Sequence, residues 1–452
     1  MPAEPRTISQ LARALQDRQI TSEAVTERCL TRIDERNPTL NAFIAVFADE
    51  ARAQARAADR EIADGGYRGP LHGVPISIKD LIDMRGTVTT AGSKVRQAHV
   101  AQADAPIVAH LRKAGAVLVG KCNLHEFAFG TTNEDSAFGP ARHPIDPSRS
   151  PGGSSGGSAV SVAAGMAFAS IGTDTGGSIR IPSAACGLVG LKPGLGEIST
   201  EGIVPLSRTM DHAGPLCRSV EDASLLFDAL RGGAPGPPLE ARDARGLRFG
   251  VPRAYFLALL DSPVASSFEA ACDRLRSAGA TIEDVVIPHA TDVAPIYLHI
   301  VLAEAAAYHA KTLESRPDDY TPNVRLRLEM GRYILAEDYA RALLGREMLR
   351  REVDAALAGR DALLLPSLPI PAPKLGVHTV KVGGSEEPVR NITLRLTQAF
   401  NVSGHPALTV PCGHTMDGLP IGAQLVGHAR GTRELLAVAR SVEGYLSPGE
   451  SR

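Results

Sequence analysis

The chain has 452 residues, 44% of them apolar, with 48 basic and 50 acidic side chains and a formal net charge of -2. That length can bury a large core in one domain. The balanced charge, with 4% aromatics and no Trp, argues against a nucleic-acid partner, which would call for a basic face or stacking rings. Six cysteines, at 29, 122, 186, 217, 272 and 412, form no CxxC pair, so reduced thiols in a cytoplasmic protein are expected, with no disulfide framework and no metal site.

The opening "MPAEPRTISQLARALQDRQ" has no apolar h-region, and no signal peptide is expected. Thr21 and Ser22 cap a predicted helix in which Val25, Cys29, Leu30 and Ile33 recur at helical spacing, ending at Asn37-Pro38. "FADEARAQARAADREIAD" predicts a second helix, stopped by Gly65-Gly66. "LHGVPISIKDLID" reads as a strand, and "DAPIVAHLRKAGAVLVGKCN" as helix, glycine stop and buried strand. The small-apolar run from Ala159 to Gly172 is too short and too polar to span a membrane. "RGGAPGPP" at 231–238 is linker-like. After it come a strand in "GLRFGVPRAYF", a helical region over 295–357 broken near "SRPDDYTPN", and a strand in "DALLLPSLPIPAP". Two further strands, in "HPALTVPCG" and "GLPIGAQLVG", precede a closing helix in "TRELLAVARSVEGYL". The alternation predicts an α/β fold, a single large α/β/α domain with a central mixed sheet flanked by helices. Its catalytic core is placed at about 65–230, and its pocket and closing elements at 246–446.

Three stretches carry candidate chemistry. "GAVLVGKC" (Gly115–Cys122) is nearly a P-loop, but Cys122 replaces the magnesium-binding hydroxyl and the intervening residues are strand formers. "GGSSG" (Gly152–Gly156) matches the GxSxG nucleophile elbow with Ser154 central, yet loop rather than strand precedes it, and nothing singles out His405, His414 or His428 as its base. A flexible linker is the plain alternative for "GGSSGGS", and its packed flanks oppose it. In "GTDTGGSIR", glycines before Ser178 let successive amides turn toward one point, as in an oxyanion hole. Lys79, closing an apolar run, can serve as a base if burial keeps it neutral.

With "GVPISIKD", "GKCNLHEFAFG", "PGGSSGGS", "GTDTGGSIRIPSAACGLVGLKP" and the C-terminal "HPALTVPCG" and "GLPIGAQLVG" in place, the chain resembles the amidase signature family over nearly its whole length. The resemblance implies an amidohydrolase that needs no cofactor. Lys79 and a cis-bonded Ser154 would relay protons, and Ser178 would be the nucleophile. The amides of Thr175, Gly176, Gly177 and Ser178 would form the oxyanion hole, and Ser155, Asp174 and Arg180 would support it. The expected partner is a small amide or ester, with a homodimer left open. Phe129, Thr131, Ile203, Tyr308 and Phe400 are nominated for the acyl pocket. The A subunit of a glutamyl-tRNA(Gln) amidotransferase is the alternative within that family. The chain's length and the absence of an "FDGxRYG"-type stretch favour a stand-alone amidase.

Overall fold

The computed structural model describes residues 4–233 and 236–447. Residues 1–3 of the opening segment, and Ala234 and Pro235 of the linker-like stretch, lie outside the described residues. Thirteen strands are present among them: β1 (Phe43–Val46), β2 (Pro75–Lys79), β3 (Val117–Cys122), β4 (Ala169–Asp174), β5 (Val189–Lys192), β6 (His212–Cys217), β7 (Arg248–Val251), β8 (Thr281–Asp284), β9 (Ala362–Pro366), β10 (Thr379–Val382), β11 (Ser385–Pro388), β12 (Ala407–His414) and β13 (Pro420–Val426). Eleven of them form one mixed sheet in the order β1-β3-β2-β4-β6-β5-β12-β13-β9-β7-β8, and β10 pairs with β11 as a separate hairpin. Antiparallel pairing of β5 with β12 carries the sheet without interruption from the first half of the chain into the second.

The centre of the sheet explains the near-continuous apolar runs. β2 lies parallel to both β3 and β4, and every residue of the three strands is buried. Strands covered by helices on both faces lose the alternation of a half-exposed strand. "GAVLVGKC" accordingly ends in β3, with no phosphate cradle. In the parallel register Ile78 stands opposite Ile171, so the carboxyl ends of β2 and β4 bring Lys79 and Asp174 to the same edge. Crevices at such strand ends are where open α/β sheets place their ligands.

"GGSSGGS" is a seat for a helix. All residues from 150 to 162 are buried, and the helix Gly156–Ala163 starts within the motif. A Cβ at Gly157 would lie 2.4 Å from the carbonyl oxygens of both Ala42 and Asn123. Backbones approach there more closely than any side chain permits.

The first long helix departs from expectation by running from Ser22 to Leu40, through Pro38. Asn37 holds the chain on its helical path past the proline. Its carbonyl accepts the Asn41 amide at 2.8 Å, and its side chain both accepts from the Phe43 amide and donates to the Phe43 carbonyl. The helix is released at Asn41, which is left-handed. The later helical region is three helices, Val293–Ser315, Pro322–Gly331 and Ala336–Leu357. The segment Ala290–Ser315 is long and apolar enough by composition to cross a bilayer. Here it packs as a core element, with Ile300, Val301 and Ala305 fully buried.

Candidate active site

The ends of β2 and β4 meet the loop at 151–155 to form a buried polar cluster. Lys79 Nζ donates to Ser154 Oγ at 2.8 Å and to Thr173 Oγ1 at 2.9 Å. Burial pushes the Lys79 amine down to about 7, against the opposing pull of the Asp174 and Asp211 carboxylates. The peptide bond between Gly153 and Ser154 is cis. The Ser155 amide donates to the Ser178 carbonyl at 3.2 Å, and Ser155 Oγ donates to the Thr173 carbonyl, so the two serine loops are joined through main chain. Lys79 and Ser154 have no exposed surface, whereas Ser178 keeps 6%. Of the three, only Ser178 can be reached by a molecule from outside.

After β4 the chain turns through Thr175–Ser178 into the helix Arg180–Cys186. Gly177 has φ +139°, and a Cβ there would lie 2.3 Å from Thr397 Oγ1, so both the turn and its neighbour demand glycine. Thr397 Oγ1 donates to the Gly176 carbonyl at 2.6 Å, and Thr175 Oγ1 donates to Asp211 Oδ1 at 2.6 Å. Among the described residues, the amides of Gly176, Gly177 and Ser178 have no acceptor.

A fully buried ion pair braces this turn. Arg180 Nε and Nη2 donate to the two oxygens of Asp174 at 3.0 and 2.9 Å. Nη1 reaches Gln424 Oε1 and the Thr397 carbonyl, and Nη2 also reaches Asn401 Oδ1. Asp174 Oδ2 further accepts the amides of Ile179 and Arg180. Burial would raise the Asp174 carboxyl, but the Arg180 charge and these hydrogen bonds hold it well below the usual range. Replacing Asp174 by Asn leaves a buried guanidinium without its counter-charge. We expect a loss of ~3–5 kcal/mol of stability, read as a lowered midpoint in chemical denaturation. A midpoint equal to that of the parent would show that the pair does not brace the turn.

The family model described as Amidase matches residues 24–436. The chain belongs to the amidase signature family. It is thereby a hydrolase acting on C–N bonds. An amidase of Pseudomonas putida is 41% identical, over 91% of this chain and 90% of that protein. The glutamyl-tRNA(Gln) amidotransferase A subunit of Anaeromyxobacter sp. (strain K) is also 41% identical, over 95% and 94%. A crystal structure described as an amidase superposes with a TM-score of 0.92 at 39% identity, covering 98% of this chain and 100% of that one.

Within this amidase fold the five nominated pocket residues part company. Thr131 stands beside the serine loop: a Cβ on Gly153 would lie 3.0 Å from the Thr131 carbonyl carbon. Its hydroxyl meets Thr393 Oγ1 at 3.0 Å. Phe129 is buried, and its carbonyl accepts Arg327 Nη1 at 2.7 Å. Ile203 bridges to Ile82. Phe400 is a core residue, fully buried and stacked on Phe256 at 6.1 Å. Tyr308 is exposed, its ring edge-on to His309. The tyrosine that reaches the amidase turn is Tyr297, whose hydroxyl lies 2.6 Å from where a Gly176 Cβ would be. Both tyrosines sit on one helix, but three turns of rise, roughly 16 Å, separate them.

Sequence reasoning also missed Thr173, Asp211, Thr397, Asn401 and Gln424. Thr173 lies within the "GTDTGGS" motif and could have been found there, as the first hydroxyl of that motif on the strand that carries Asp174. Gln424 lies in "GLPIGAQLVG", where the sequence shows a strand but no role for the glutamine; Asp211, Thr397 and Asn401 come from segments with no motif of their own.

Proposed function

We propose that this chain hydrolyses a carboxylic amide through an acyl-enzyme on Ser178, with Lys79 and Ser154 as its proton relay. The observation that carries the reading is the 2.8 Å contact between Lys79 Nζ and Ser154 Oγ, in a fully buried setting that brings the amine down to about 7. Once neutral, that amine accepts the Ser154 proton as Ser154 accepts one from Ser178. Ser178 Oγ then bonds to the substrate carbonyl carbon. Amides of the Thr175–Ser178 turn take the negative charge that develops on oxygen. The proton returns along the relay to the leaving nitrogen, and the C–N bond breaks. Water, deprotonated by the same relay, splits the Ser178 ester and releases the acid. An ester substrate would pass through the same intermediate. Asp174, Arg180 and Ser155 hold the two loops in register and touch no reacting atom. Six buried, unpaired cysteines accord with a cytoplasmic setting.

A second reading has support in the relatives: an ammonia-supplying A subunit of a tRNA-dependent amidotransferase. Length does not set it aside, because the alignment covers 94% of one such protein. The test is turnover by the purified chain alone on a panel of aliphatic and aryl amides. We expect hydrolysis of at least one, with Ser178 labelled by a fluorophosphonate. Activity appearing only with partner subunits, and as glutamine-dependent amidation, would replace the first reading with the second.

A further inference from the structure

The short helix Val389–Leu394 leans on the turn before Ser178. Leu394 Cδ2 lies 3.0 Å from where a Gly176 Cβ would be. Arg390 is one helical turn earlier on the same face. Its Nε is sealed from solvent and has no hydrogen-bond partner. Its ionisable neighbours are Tyr297 and a second guanidinium, and no carboxylate acts on it among the described residues. That guanidinium, Arg327, comes from the helix Pro322–Gly331. It spends one nitrogen on the Phe129 carbonyl and lies over the Phe129 ring at 5.9 Å. Burial, and next the charge of Arg390, bring Arg327 down to about 10. Both guanidiniums act on Tyr297, whose hydroxyl stands over Gly176.

The carboxylates of this neighbourhood are already taken. Asp174 is held bidentately by Arg180. Asp211 accepts the Thr175 hydroxyl and the amides of Leu206 and Ser207. Asp135 faces His125 and Asn323; its charge reaches Arg327, but it makes no ion pair with that guanidinium among the described residues. Two half-buried arginines brought together without an ion pair repel one another and lose hydration, which a fold tolerates where an anion is to be received. Planar guanidinium forks match a carboxylate with two parallel hydrogen bonds.

We propose that Arg390 and Arg327 form a carboxylate-recognition site beside the Ser178 turn, so that the substrate is an amide bearing a carboxylate a few bonds from the scissile carbonyl. This rests on the amidase reading of the site and names its substrate class. Such a site penalises a substrate that lacks the anion, because the arginines are then left unpaired.

The test compares the monoamides of three-, four- and five-carbon dicarboxylic acids with neutral amides of matching length. For the best chain length we expect kcat/KM to favour the anionic member by ~100-fold or more. Arg390→Met and Arg327→Met should each cut that ratio at least tenfold, and Arg390→Lys should restore part of it. A second measurement is independent of turnover: calorimetric binding of the same monoamides to the Ser178→Ala chain. Binding is expected there, and its loss when Arg390→Met is added. No anionic preference in the parent, or a ratio unmoved in both arginine variants, would overturn the proposal. So would monoamide binding that is absent or indifferent to Arg390. Neutral amides cleaved through Ser178 without anionic preference would sink this inference alone. Arginine-dependent binding without hydrolysis of any amide would sink the catalytic reading and leave the recognition site standing.

Discussion

Replacing Ser178 by alanine should lower kcat by ~10⁴-fold or more on any amide the chain cleaves. The substitution removes one oxygen at the only one of Lys79, Ser154 and Ser178 that keeps exposed surface, at 6%. The Ser155 amide donates to the Ser178 carbonyl rather than to its side chain, so the loop contact survives. Asp174 and Arg180 keep their pairing as well. Substrate affinity should therefore change far less than kcat, which separates a lost nucleophile from a damaged fold. Steady-state kinetics with a thermal melt decide it. A variant that turns over at the parental rate would exclude Ser178 as the attacking group.

The second large effect concerns Lys79. Lys79→Met keeps the length of the side chain and removes the base, and should cost ~10²–10⁴-fold in kcat. The parent's pH profile carries the same argument. The amine must be unprotonated to accept a proton, and its burial places that transition at about 7 instead of 10.5. Activity should thus climb about tenfold per pH unit below 7 and level off above it. An unburied lysine would still be climbing at pH 9. The acid limb belongs to Lys79, so the residual activity of Lys79→Met should lack it. A parental profile flat from pH 5 to 8 would rule the lysine out as the base.

Much of the reacting cluster is legible in the sequence, because it comes from motifs whose local composition is odd. A lysine ending an apolar strand, and two glycine-serine knots between packed segments, are conspicuous in a single sequence. The central strands are legible for the same reason, since β2, β3 and β12 are long apolar runs. β5, β6 and β8 are not, being short or lacking any alternation; they are strands because of what they pair with. The helix runs on past Pro38 because Asn37, through three hydrogen bonds, outweighs a local helix-breaking preference. The sequence points to Tyr308 rather than Tyr297 because helical periodicity gives a face and not a height along the axis. Arg327 and Arg390 look like ordinary surface charges in sequence, and only the fold shows that both are half-buried and close enough to act on one another and on Tyr297. Asn401 and Gln424 serve Arg180 across more than two hundred residues, a distance over which local pattern is silent.

The uninterrupted sheet has a consequence for how such an enzyme changes its diet. The reacting groups are carried by residues 79–180, whereas Tyr297, Arg327, Arg390 and Leu394 arrive from the other half, across the β5–β12 seam. On the proposed reading, the reacting groups and the two anion-binding arginines are written in separate stretches of the gene. On that reading, mutations at Arg327 and Arg390 retune which amide is accepted, whereas Tyr297, Leu394 and Thr397 press on or bind Gly176 in the turn itself. A laboratory evolution campaign confined to the Arg327 and Arg390 codons should yield new substrate ranges at little risk to the reaction itself.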